Sequence, residues 1–103
     1  MENELEIQPD KFRTLLAGTK TYSIRRGNRS FDKTIRISNT ANRVVVSGIV
    51  NSYVHTILAE VPFKVLEAEG WRSFKECLDA LRVYYPELDW DSSVTILEFR
   101  LAL

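Results

Sequence analysis

The amino-acid sequence predicts an α+β domain built on a strongly bent sheet or a small barrel. Three observations carry that expectation. Segments of strand and helix periodicity follow one another in the order β-α-β-β-β-α-α-β, so many strands must pair with partners distant in the chain. With 103 residues, 45% of them hydrophobic and 27% charged, residues 1–103 have the size and composition of a single domain with one core. Four glycines and three prolines are too few for linkers, and no repeat or low-complexity tract breaks the pattern.

The elements follow from local chemistry. Leu5-Glu6-Ile7 alternates and stops ahead of Pro9, which suits a short strand followed by a helix with proline in its first turn. That helix reads from Asp10 to Ala17, with Phe12, Leu15 and Leu16 forming its apolar face and Gly18 its stop. Lys20 to Arg25 alternates as a strand. Lys20, Tyr22 and Ile24 take one face and Thr21, Ser23 and Arg25 the other, although a bulge at the start would re-aim Lys20. Gly27-Asn28 marks a turn and Thr34 to Ser38 another strand. Val44 to Leu58 is a long β-rich run in which Gly48 and Asn51-Ser52 predict a bend or bulge. Val61 to Glu69 reads as a short helix that begins at Pro62 and is ended by Gly70. Ser73 then caps a helix, with Glu76 completing a capping box. Phe74, Cys77, Leu78, Leu81 and Tyr84 or Tyr85 form that helix's buried face ahead of Pro86, and Val94 to Leu101 is the closing strand.

Composition excludes several classes of function. One cysteine, Cys77, permits no internal disulfide and no cysteine-based zinc site, and the single His55 permits no histidine-rich metal centre. Apolar runs such as Val44-Val45-Val46 are far short of a membrane span, and Met1-Glu2-Asn3-Glu4 is unlike the start of a signal peptide, so a cytoplasmic protein is expected. Fourteen basic and fourteen acidic side chains give a net charge of zero, which argues against a uniformly basic surface for long nucleic acids. The zero is a balance between blocks. Ala17 to Arg36 holds Lys20, Arg25, Arg26, Arg29, Lys33 and Arg36 against Asp32 alone, a block of +5, whereas the chain from residue 59 onward carries −4.

Within the basic block, Lys20, Ser23 and Arg25 put an amine, a hydroxyl and a guanidinium at one helix-to-strand junction. A lysine made less basic by burial and neighbouring cations can serve as a general base. Activated that way, Ser23 is a candidate nucleophile, and Arg25 is a group that can hold a phosphate or a carbonyl. The ordinary reading stands beside this one: strand lysines and arginines are usually solvated, and strand serines usually fill space. Glu69, at a helix end next to Glu67, sits where the helix dipole slightly disfavours a carboxylate. Tyr22 and Trp71 can stack on a base or pack in a core. His55 reads as a structural side chain and Cys77 as a core residue.

Leu15-Leu16-Ala17-Gly18-Thr19-Lys20-Thr21-Tyr22-Ser23-Ile24-Arg25 resembles the signature of the ASCH domain family, a helix end followed by Gly-x-Lys-x-x-Glu-x-Arg. Gly18, Lys20 and Arg25 match, and Ser23 stands where many members have Glu. Val61 to Gly70, then Ser73 to Leu78 and Tyr85-Pro86, look like the family's helical insertion, and Ile96 to Leu103 like its closing strand. The resemblance implies a PUA-like fold, a small β-barrel flanked by helices. The hydroxyl at position 23 is similar to that of the small bacterial N(4)-acetylcytidine amidohydrolases, whose motif reads Gly-x-Lys-x-x-Thr-x-Arg. One difference is the loop before Thr34, where Phe31-Asp32 replaces the usual Gly-Asp.

What the resemblance implies is deacetylation of N(4)-acetylcytidine, or a related modified nucleoside, with no metal and no cofactor. Lys20 would be the base, Ser23 the nucleophile and Glu69, or its neighbour Glu67, the site carboxylate. Arg25, Arg26, Tyr22 and Trp71 would contact substrate. The alternative is an RNA-binding module, with ribonuclease activity or without it, in which Lys20, Arg25, Arg26 and Arg29 grip phosphates. A protein–protein adaptor with a vestigial cleft is the third reading.

Overall fold

A computed structural model describes residues 1–102. The elements are β1 (Glu2–Ile7), α1 (Pro9–Leu16), β2 (Thr21–Arg26), β3 (Phe31–Asn39), β4 (Val45–Ile57), a short 3-10 turn (Leu58–Glu60), α2 (Phe63–Ala68), α3 (Phe74–Arg82) and β5 (Ser93–Leu101). The expected order β-α-β-β-β-α-α-β is therefore observed, and the chain is α+β. The five strands form one sheet in the order β1-β3-β4-β5-β2. β1 runs parallel to β3, with Leu5 opposite Ile37. β3 and β4 are antiparallel, with Ile37 opposite Val46.

By packing, the chain divides into two compact units. One comprises Met1–Thr21, Ser30–Tyr53 and the chain from Leu97 onward; the other comprises Tyr22–Arg29 and Val54–Ile96. Each has its own apolar cluster, in place of the one core that the composition suggests. In the first unit Leu5, Ile7, Phe12, Leu15, Phe31, Ile35, Ile37, Val50, Leu97 and Phe99 are buried together. In the second, Ile24, Leu58, Val61, Val65, Leu66, Cys77, Leu78, Leu81, Leu88, Val94 and Ile96 are.

Most expected boundaries hold within one or two residues. Pro9 opens α1, where its missing N–H costs nothing, and Gly18 ends it at φ 83°, a left-handed conformation that glycine adopts without strain. The bend expected at Gly48 is absent. β4 is continuous from Val45 to Ile57, and the β3–β4 register passes through Gly48 opposite Ile35 without a shift. Close packing explains this glycine instead: a Cβ there would collide with Ile37 Cδ1, the end of a side chain that is itself fully buried. The capping box also differs from expectation. Ser73 Oγ accepts from the Glu76 N–H at 3.2 Å as anticipated, but Glu76 accepts the N–H of Arg72 rather than that of Ser73.

Candidate functional site

In the second unit, three segments bring together a polar group set into an apolar surround. β2 supplies Ser23 and Arg25, two residues apart on one face of the strand, as the alternation requires. Ser23 is buried, and Arg25 Nε donates to its Oγ at 3.0 Å. The C-terminal end of α2 supplies Glu69, half-buried, whose N–H bonds to Val65 O at 3.1 Å. The segment after α3 supplies Tyr85, half-buried against the unit's core.

The electrostatics tie these residues to one another. Burial is the leading influence on Arg25 and lowers its pKa, and the like charge of Arg29 adds to that. Tyr85 and Glu69 act in the opposite direction. Glu69 is felt on its other side by Cys77, whose thiol is pushed up to about 12, first by burial and then by that carboxylate. A hydrogen bond donated by a cation lowers the cost of negative charge on the oxygen that accepts it, so the Arg25–Ser23 pair is compatible with a serine nucleophile.

The turn that follows β2 is pinned within the same unit. Thr95, fully buried on β5, donates through Oγ1 to Gly27 O at 2.7 Å and accepts from Arg29 N at 2.9 Å. His55 is exposed, and its Nε2 lies 2.7 Å from Arg29 O. Gly27 N bonds to Ser93 O at 2.7 Å. These contacts fix the exit of the strand that carries Ser23 and Arg25.

Lys20 is placed in the first unit. Its side chain is 57% exposed and its Nζ lies 3.6 Å from Glu98 Oε1, so the burial expected of a lysine base is not observed. Arg26 is exposed at the end of β2. Tyr22 and Trp71 are half-buried and pack against the second unit's core, the ordinary role weighed for both. Glu67 is exposed, whereas Glu69 is half-buried and acts electrostatically on Arg25.

Two residues beside the candidate site residues, Tyr85 and Glu98, are not among those that the sequence points to. Tyr85 was placed on a buried helix face, but a buried tyrosine carries a hydroxyl that must find a partner, and that requirement was the missed signal. Glu98 is a carboxylate inside the apolar run Leu97-Glu98-Phe99, an anomaly visible by eye. Among the described residues no group of three His, Cys, Asp or Glu side chains could hold a metal ion, and no helix is long and apolar enough to cross a membrane. Compared with protein-family models, curated proteins and solved structures, the chain matches none.

Proposed function

We propose that this chain is a cytoplasmic amidohydrolase of PUA-like fold that removes the acetyl group from N(4)-acetylcytidine or a closely related nucleoside. The observation that carries the reading is the Arg25 Nε–Ser23 Oγ hydrogen bond at 3.0 Å, in a buried setting with Glu69 and Tyr85 around the guanidinium. A buried serine with a cation on its oxygen is a poor space-filler and a suitable nucleophile. The α+β element order supports the fold part of the proposal.

In the reaction, Ser23 Oγ attacks the acetyl carbonyl carbon while Lys20, in its neutral form, takes the hydroxyl proton. The tetrahedral intermediate collapses with cleavage of the C–N bond. The proton that Lys20 took from Ser23 is then given to the departing exocyclic nitrogen, with Glu69 as the site carboxylate. Water then attacks the acetyl-serine ester, releasing acetate and restoring the hydroxyl.

The RNA-binding alternative needs the +5 block as a phosphate track. Arg25 is half-buried and its Nε is committed to Ser23 Oγ, which draws the block's central cation away from that surface. Incubation of the purified protein with N(4)-acetylcytidine is expected to release cytidine and acetate at a rate nearly independent of salt. Absence of turnover overturns the reading, and steeply salt-dependent binding of single-stranded RNA in its place would establish the alternative. Lys20→Ala and Ser23→Ala are each expected to lower kcat about 100-fold or more; full activity in either variant contradicts the role given to that residue.

A further inference from the structure

Glu98 takes no part in the chemistry described above, yet its setting on β5 is unusual for a carboxylate. Its neighbours Leu97 and Phe99 are fully buried in the first unit's core, so strand alternation turns Glu98 to the other face, where its side chain is nonetheless only 21% exposed. Arg100, the next residue on that face, is exposed. A carboxylate so largely withdrawn from water needs a compensating partner, and among the described residues it has Lys20, whose Nζ lies 3.6 Å from its Oε1. The backbone around Lys20 is held on both sides. Thr19 N–H donates to Thr14 O at 3.3 Å, and Thr21 Oγ1 donates to Thr19 O at 3.0 Å. What is left loose is the long aliphatic stem, whose rotamer freedom is among the largest of any side chain. Lys33 and Lys64 are exposed too, and among the described residues neither has a carboxylate partner.

We propose that Glu98 is a positioning residue for Lys20: its carboxylate holds the amine in one place ahead of β2 and stabilises the positive charge that the amine takes on. Its effect on rate rests on the amidohydrolase reading. Its hold on the amine does not. A neutral amine beside a carboxylate turns an N–H toward it, which leaves the nitrogen lone pair open to the serine proton. Once the proton has moved, the amine is an ammonium, and its attraction to Glu98 is at its strongest. Because that attraction grows between the bound substrate and the transition state, it raises kcat and leaves substrate binding alone. Glu98 itself neither gives nor takes a proton; the one that Lys20 acquires goes on to the departing nitrogen.

Glu98→Gln keeps the size of the side chain and removes its charge. Carbon-13 relaxation on protein made with labelled lysine reads the motion of each lysine Cε, and loss of a signal in Lys20→Arg identifies the one from Lys20. In wild type the Lys20 Cε is expected to be clearly more ordered than those of Lys33 and Lys64; in Glu98→Gln it should match them. A Lys20 that is as mobile as those two in wild type overturns the proposal, and so does an order that the substitution leaves unchanged. With N(4)-acetylcytidine, kcat of Glu98→Gln is expected to fall about three- to ten-fold at nearly constant KM, a modest factor because the lysine end of the pair is open to solvent. A wild-type kcat, or a loss carried by KM, contradicts the part given to Glu98 in turnover. Should the wild type show no turnover, the functional reading fails while the relaxation data still decide the positioning. If Glu98→Gln does not fold, Glu98→Asp keeps the charge and draws it back toward the strand: Lys20 is expected to lose part of its order, and an unchanged Lys20 refutes the hold.

Discussion

At the scale of single residues, two side chains with hydroxyl or thiol groups lie in one apolar unit and receive opposite treatment. Ser23 is given a cationic donor, which favours its ionised form. Cys77 is given burial and a nearby carboxylate, which disfavour ionisation and push its thiol up to about 12 from 9.0. Cys77 is thus held as the thiol, although thiols are ordinarily the more acidic group. This has a consequence for stability. Because the folded state keeps the Cys77 proton more tightly than the unfolded state, the stabilisation is fully present below pH 9 and is lost as pH rises from there toward 12. Denaturant melts of wild type and Cys77→Ala across that range should converge in part as pH rises. Parallel curves would mean that the thiol's proton is not linked to folding. In native protein at pH 8, Cys77 should also resist alkylation that proceeds rapidly once the chain is unfolded.

At the scale of elements, Gly48 shows how packing overrides a local signal. Glycine inside a strand predicts a bulge, but β4 runs straight through it because the neighbouring strand's Ile37 occupies the space of a side chain. Gly48→Ala is expected to cost about 1–3 kcal/mol in a denaturant melt, since Ile37 is fully buried and has no room to yield. Ile37→Val removes the Cδ1 atom responsible. Combined with Gly48→Ala, it should recover part of the loss, so the pair should be less destabilising than the sum of the two single changes. An additive pair would show that the clash is not with Ile37. The α3 start follows its local signal instead, because a cap involves only residues in sequence contact: Ser73 and Glu76 lie three apart and meet as expected.

For the molecule as a whole, what was legible in the chain depended on distance along it. Element order, the α1 proline and glycine boundaries and the shared face of Ser23 and Arg25 all rest on neighbours within a few residues, and each is observed. The partners of Lys20 and Arg25 are not legible that way. Glu98 lies far downstream of Lys20, and Tyr85 far downstream of Arg25, so only the tertiary pairing reveals them. The division of the buried residues between two clusters was equally invisible. Periodicity shows that Val94, Ile96, Leu97 and Phe99 are apolar positions of one strand, but not that the first two join one cluster and the last two the other. The charge blocks gain a sharper meaning: Arg25 of the basic block and Glu69 of the acidic one act on each other electrostatically within the second unit.

The central claim is that the Ser23 hydroxyl becomes acetylated during turnover. Mixing enzyme with excess N(4)-acetylcytidine, quenching in acid within the first turnover and mapping peptides by mass spectrometry tests it most directly. The account predicts one added acetyl group on the peptide that contains Ser23, absent from the same peptide of Lys20→Ala. Turnover that releases cytidine from a Ser23→Ala variant at the wild-type rate, with no acetyl adduct on wild-type Ser23, would contradict it.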